Sequence, residues 1–198
     1  MNQTKTNLMV RNKSAKVKSK KQLTILLTNQ LMQQIWDYLL TRPNKKGESK
    51  KDLHECLYLL CWKVGLRISE AVGFDLGLEH QEPTYKNLYL LRGKRNKERW
   101  VFISPEIIKE LKKRNWQPNT TNRISFFGFL SKIKEEMNLP VKVELSPHTL
   151  RRCFATYQAI SGMPLPVLQK VLGHSKISTT ALYIKDSDLS NLVKFRPV

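Results

Sequence analysis

The sequence is poor in acid. Asp plus Glu number 16 against 35 Lys plus Arg in 198 residues, a formal net charge of +19 at pH 7. A surplus of this size is more than a solvated surface carries by accident, and it points to a polyanionic partner, nucleic acid ahead of membrane. Long apolar runs are missing too: none could span a bilayer, and the N-terminus has no apolar signal core, which argues against secretion. Cysteine is scarce, with only Cys56, Cys61 and Cys153. The number is odd, and Cys56 and Cys61 fall in an apolar helical pattern. Buried free thiols in a reducing compartment are expected rather than a disulfide framework. No Cys/His set has zinc spacing, so no metal site is expected. Internal repeats are absent, and the one biased segment is the lysine-rich start.

What is present suits one domain of ordinary size, or one domain with a small appendage. Residues 1–21 hold Lys5, Arg11, Lys13, Lys16, Lys18, Lys20 and Lys21 and no acidic residue. This reads as a disordered basic arm, either a solubilising tail or an arm that follows DNA phosphates. Leu23–Leu27 is a short apolar run. Thr28 is placed to cap a helix with Leu31, Ile35 and Leu39 on one face. After a polar break from Arg42 to Lys51, a second helix runs to about Val64, its buried stripe formed by Leu53, Leu57, Leu60 and Val64. Gly65 interrupts it, and Ser69 reads as the cap of a short helix through Ala71, Val72 and Phe74.

Two strand-like runs, Lys86–Leu91 and Arg99–Ser104, flank a basic tip containing Lys94 and read as a β-hairpin. The tip is either a solvated turn or a device that enters a groove or a site. Ser104-Pro105-Glu106 starts a helix with Ile107, Ile108 and Leu111. Residues 123–137 form another, whose Phe126, Phe127, Phe129, Leu130 and Ile133 are expected in the core rather than as a base-stacking platform. A helix from His148 to Ser161 buries Leu150, Phe154 and Ile160. One from Pro164 to Leu172 turns Val167, Leu168 and Val171 inward. Ser178-Thr179-Thr180 opens a helix carrying Tyr183, and 186–195 is a last helical piece. The expected class is mainly α with a small antiparallel β-sheet (α+β).

The stretch from Ser146 to Tyr183 concentrates the chemistry. Ser146 reads as an N-cap and Pro147 as the first helical residue, so His148 lies in the first turn and Arg151 one turn on, projecting to the same side. Gly173 ends the next helical pattern and His174 follows at once. Tyr183 comes nine residues later. Upstream, Arg67 sits between Leu66 and Ile68 with Glu70 near enough to fix its guanidinium. It is either a surface arginine at a helix junction or a rigid phosphate ligand.

Four blocks, in order, resemble the catalytic domain of the tyrosine recombinases, the phage integrase family, and most of all its Xer type. They are Gly65-Leu66-Arg67-Ile68-Ser69-Glu70, Gly93 through Arg99, Leu145 through Arg152, and Leu172 through Thr180 leading to Tyr183. The resemblance implies that Arg67, Lys94, His148, Arg151 and His174 surround a scissile phosphate and that Tyr183 is the nucleophile. Arg152 stands where many relatives have histidine and is not counted among them. The two arginines would grip the non-bridging oxygens and stabilise the pentacoordinate transition state, work done elsewhere by a metal, so no cofactor is implied. Nearby cations would lower the tyrosine pKa from about 10. His148 would assist proton transfer at the tyrosine, His174 would bond the phosphate, and Lys94 would protonate the departing 5′-oxygen.

The organisation that follows is a basic arm over 1–21 and a catalytic domain over 22–198, without the separate N-terminal core-binding domain usual in the family. The resemblance implies double-stranded DNA as partner, self-association into a dimer or tetramer on it or assembly with a partner recombinase, and no membrane. A bacterial cytoplasm is the expected setting, nucleoid- or plasmid-associated, with an organelle also open. Three other functions stay open at this point: a DNA-binding remnant or regulator that does not recombine DNA, a relaxing type IB topoisomerase, and a plain helix-turn-helix repressor, which leaves Tyr183 and His174 unexplained.

Overall fold

The structure, a computed structural model, describes residues 28–43, 50–77, 82, 84–92 and 98–185, the side chains of 182–185 excepted. The basic arm, the Leu23–Leu27 run, the hairpin tip with Lys94, and the segment from Asp186 onward lie outside the described residues.

The described chain is eight helices and one two-stranded sheet: α1 (Asn29–Thr41), α2 (Lys51–Trp62), α3 (Ile68–Val72), β1 (Leu88–Arg92), β2 (Glu98–Phe102), α4 (Pro105–Lys113), α5 (Arg123–Glu136), α6 (Pro147–Ile160), α7 (Leu165–Leu172) and α8 (Ile177–Lys185). The α+β class read from the sequence is the observed one. The core is built around α2, in which every residue from His54 to Trp62 is buried. A helix apolar on all sides must be enclosed on all sides, and α3, α4, α5 and α6 pack around it. Tyr58 keeps its hydroxyl satisfied there by donating to the Met32 carbonyl at 2.9 Å.

Thr28 and Ser104-Pro105-Glu106 start their helices as expected. Thr28 Oγ1 accepts from the Leu31 amide at 3.1 Å, and Pro105 opens α4. Asn122 caps α5 by accepting from the Ser125 amide at 2.9 Å. Several expected core positions are corrected. On α1 the buried set is Met32, Ile35, Trp36 and Leu39, with Leu31 only partly covered. On α5, Phe126, Phe129, Leu130 and Ile133 share one face, which leaves Phe127 46% exposed on the other. On α7 the inward stripe is Leu168 and Leu172, one turn apart, so Val167 faces away. Ile160, at the end of α6, is half-buried. With Phe154 and Ala155 of α6, the α7 stripe forms a small second core.

The strands pair antiparallel, from Leu88 opposite Phe102 to Arg92 opposite Glu98. Each runs one residue further toward the tip and ends two residues sooner at the base than expected, and beyond β2 Ser104 takes the cap position of α4. Tyr89, Leu91 and Val101 face the core.

Two ion-pair groups lie in the helical body. Arg114 donates to Glu55 at 2.8 Å and also to Glu110, while Lys51 approaches Glu55 at 3.6 Å. Arg42 forks onto Glu136 at 2.5 and 2.9 Å, and the Tyr38 hydroxyl adds a third donor at 3.0 Å. The second group ties α1 to α5.

Candidate active site

Three local structures build the site. The first is the junction between α2 and α3. Gly65 takes φ +75° and lies so close to α6 that an added Cβ would meet the Phe154 ring at 2.3 Å. Only glycine fits that crossing. The chain then enters α3 through Arg67, which occupies the cap position expected for Ser69. Glu70 explains the shift. Its Oε2 reaches back to accept from the Arg67 amide at 2.8 Å, the backward half of a capping box, so the helix starts one residue after Arg67.

The second is the start of α6. The Thr149 amide donates to Ser146 Oγ at 3.2 Å, and the Ser146 amide donates to Thr149 Oγ1 at 2.8 Å. This reciprocal cap fixes the first turn. His148 is exposed on it, whereas Arg151, one turn on, is only 4% exposed.

The third is the end of α7, where Gly173 in the left-handed region (φ 61°) turns the chain into His174. The last carbonyls of a helix lack intrahelical donors and sit at the negative end of its dipole. Here three successive carbonyls each take one arginine. Val171 accepts from Arg99 Nε at 2.8 Å, Leu172 from Arg151 Nη2, and Gly173 from Arg67 Nη2 at 3.0 Å. Arg151 Nη1 bonds the Gly65 carbonyl at 2.8 Å, so it spans the first structure and the third.

Glu70 meets the same three guanidiniums from the other side. Arg67 Nη1 donates to it at 2.8 Å, Arg99 donates through both Nη atoms at 2.7 Å each, and Arg151 Nη1 lies at 3.7 Å. Burial alone would raise the Glu70 pKa. The hydrogen bonds and charge of Arg99, and then the bonds of Arg67, outweigh it and hold the carboxyl at about 2. One carboxylate therefore faces three cations, and the site carries a positive surplus.

His174 is shaped by that surplus. Its Nε2 lies 3.5 Å from Arg151 Nη2 and its Nδ1 lies 3.0 Å from Thr180 Oγ1. Arginine can only donate, so the contact favours a lone pair on Nε2 and the proton on Nδ1. Partial burial, then the charges of Arg151, Arg67, Arg99 and His148, push its pKa down to about 4. His148 is also lowered, by burial and then by Arg152 and Arg151, against a pull from Glu144.

The structure thus brings Arg67, His148, Arg151 and His174 to the meeting point of α3, α6 and α7. α8 packs against α6 and α7, and Tyr183 is one of its residues. The Tyr183 side chain and the whole of Lys94 lie outside the described residues. Sequence reasoning missed a role for Arg99 and for Thr180. The signal for Arg99 was its strand parity: it shares the inward face of β2 with Val101, an odd place for a cation without a partner. Among the described residues, no group of three or more His, Cys, Asp or Glu is placed to hold a metal, and no helix is long and apolar enough to cross a membrane.

The model of the Phage integrase family matches residues 27–189. The chain belongs to the phage integrase family. Within it, the chain is similar to the Xer tyrosine recombinases. It is 35% identical over 166 residues to tyrosine recombinase XerD of Lacticaseibacillus casei, covering 74% of this chain and 55% of that protein. To XerD of Shewanella oneidensis it is 32% identical over 168 residues, covering 74% and 53%. The chain spans about half the length of these relatives. Among solved structures, XerH site-specific recombinase bound to palindromic difH substrate in a post-cleavage complex superposes with a TM-score of 0.69 at 17% identity, over 87% of this chain and 53% of that one. The catalytic domain of bacteriophage HP1 integrase gives 0.57 at 24% identity, over 83% and 93%. The fold is that of the tyrosine recombinase catalytic domain.

Proposed function

We propose that this integrase-family chain cleaves and rejoins DNA strands through a 3′-phosphotyrosyl link, as a site-specific recombinase. The observation that carries the reading is the positive surplus held rigidly around Glu70, with three guanidiniums anchored on three successive carbonyls. A phosphodiester repels nucleophiles because its non-bridging oxygens share a negative charge, and a preorganised cationic cradle offsets that repulsion. In this reading Arg67 and Arg151 grip the two non-bridging oxygens. His174 is neutral near pH 7 and hydrogen-bonds the phosphate once the proton it needs is drawn in by the anion. His148 takes the Tyr183 phenol proton as the phenolate oxygen attacks phosphorus. The bond to the 5′-oxygen breaks, and Lys94 supplies the proton that makes it a hydroxyl. The phosphotyrosyl ester conserves the bond energy, so a second 5′-hydroxyl can attack it and complete a strand exchange.

The finer assignments belong to the same reading. They are a basic arm over 1–21, a catalytic domain over 22–198, double-stranded DNA as partner, assembly of copies or of a partner recombinase on it, and a bacterial cytoplasm as the setting. The test is a nicked suicide DNA substrate whose cleaved end diffuses away. The parent forms a covalent protein–DNA adduct stable on a denaturing gel, and Tyr183→Phe forms none. Salt-sensitive DNA binding without adduct across a library of sites would overturn the recombinase reading in favour of a non-recombining DNA-binding protein.

A further inference from the structure

Arg99 is almost wholly enclosed, its side chain 9% exposed. Its donors go to protein acceptors: Nε to Val171, and Nη1 and Nη2 to the two oxygens of Glu70. A guanidinium so engaged is not aimed at a substrate. Glu70 is equally enclosed, at 4% for its side chain, and lies within reach of Arg67 at 2.8 Å and of Arg151 at 3.7 Å. A buried carboxylate without a dedicated counter-ion would draw on whichever cations adjoin it. Here those are the two arginines read as the phosphate grip.

We propose that Arg99 is a positioning residue that neutralises Glu70, so that Glu70 can orient Arg67 without consuming the positive charge of Arg67 and Arg151. The proposal rests on the recombinase reading of this site and adds a residue to it. Glu70 can hold Arg67 by two hydrogen bonds, from the amide and from Nη1, only because the bidentate Arg99 fork carries the carboxylate charge. The same fork places β2 against the end of α7. Gly173 is packed so closely on Arg99 that an added Cβ would lie 3.0 Å from its Cδ. Loss of Arg99 leaves Glu70 to pull Arg151 inward and weakens the grip on a charged phosphate more than on a neutral one.

The test compares suicide substrates with a phosphodiester or a methylphosphonate at the scissile position. The second replaces one charged oxygen by methyl and needs less cationic help. Arg99→Gln is expected to slow adduct formation on the phosphodiester about tenfold or more at saturating DNA, and on the methylphosphonate less than about threefold. Arg99→Lys recovers part of the rate. The double variant Arg99→Gln with Glu70→Gln, in which both charges are gone, regains the parent's ratio between the two substrates and serves also if Arg99→Gln alone does not fold. Equal slowing on both substrates, or none, overturns the proposal. A parent that forms no adduct overturns the recombinase reading instead. In that case NMR titration of His174, which faces Arg151, Arg67, Arg99 and His148, judges Arg99 alone. Loss of the Arg99 charge by itself raises the His174 pKa from its value of about 4, so the reading is the effect of Glu70→Gln, which lowers that pKa more in the Arg99→Gln background than in the parent, where Arg99 neutralises the carboxylate; equal lowering in both backgrounds overturns the role.

Discussion

Two buried carboxylates on neighbouring helices live in opposite electrostatic settings. Glu55 on α2 meets Arg114 and Lys51, and Arg114 also serves Glu110, so two cations face two carboxylates. Glu70 on α3 meets Arg67, Arg99 and Arg151, three cations to one. Both groups are enclosed, and both depend on arginine forks. The balanced group has nothing left to offer a ligand, and its work is to join α2 to α4. The unbalanced group is held apart by helix-end carbonyls rather than by carboxylates. Carbonyls satisfy the donors of a guanidinium without cancelling its charge. Enclosure of an ion pair therefore says little about function, whereas the ratio of cations to anions inside the enclosure says a great deal.

The widest separation between the two groups is expected on exchange of effects. Arg67 has 41% of its side chain exposed, so Arg67→Ala costs little stability and slows adduct formation about 10²–10³-fold. Arg114 is 7% exposed against Glu55. Arg114→Ala leaves that buried carboxylate with Lys51 alone at 3.6 Å and costs about 3 kcal/mol of stability, with the adduct rate per folded molecule unchanged. Chemical denaturation and adduct kinetics on both variants check the pair. A stability loss in Arg67→Ala as large as that of Arg114→Ala would erase the distinction.

Acid titration sharpens it. His174 is held near 4, below the ordinary 6.5. Between those values the unfolded chain binds the proton and the folded chain does not, so stability falls as pH drops from about 6.5 to about 4. Glu70 is held near 2 against an ordinary 4.5. Its contribution is complete above about 4.5 and is lost as pH falls through 2. Denaturant midpoints measured across this range should decline in two stages, and His174→Asn should shrink the upper stage to the part left by His148, which is also held below 6.5, without changing the lower one.

The smallest effect concerns thiols. Cys56 lies in the field of Arg114 and Glu55, and Cys61 in that of Arg151 and Glu70. Burial pushes both up to about 12, so both resist alkylation at pH 8. Arg114 lowers the Cys56 pKa against burial, so Arg114→Ala is expected to slow direct labelling of Cys56 in the folded protein several-fold while Cys61 keeps its rate, as mass spectrometry of timed samples would read.

Much of this was legible in the sequence because it depends on neighbours along the chain. Thr28, Ser146 with Pro147, and Gly173 mark helix ends by local chemistry, and the Arg67–Glu70 pair is three residues apart. What escaped depends on the third dimension. Ser69 has the right composition for a cap, but Glu70 reaching back to Arg67 moved the start of α3. Phe127 and Val167 are apolar enough for the core and fall on the wrong side of helices whose inward faces were set by Phe126 and Leu168. The meeting of Arg99, Arg151 and Arg67 on Val171, Leu172 and Gly173 joins residues more than a hundred positions apart for its widest pair, Arg67 with Gly173. No spacing rule reaches that far.

The central claim is that this positive surplus serves a tyrosine attacking a phosphodiester. The direct measurement is to digest the covalent adduct formed on a suicide substrate and sequence the peptide that carries the nucleotide. The account predicts a 3′-phosphonucleotide on Tyr183. A nucleotide on any other side chain, or a tyrosine joined to a 5′-phosphate, would contradict it.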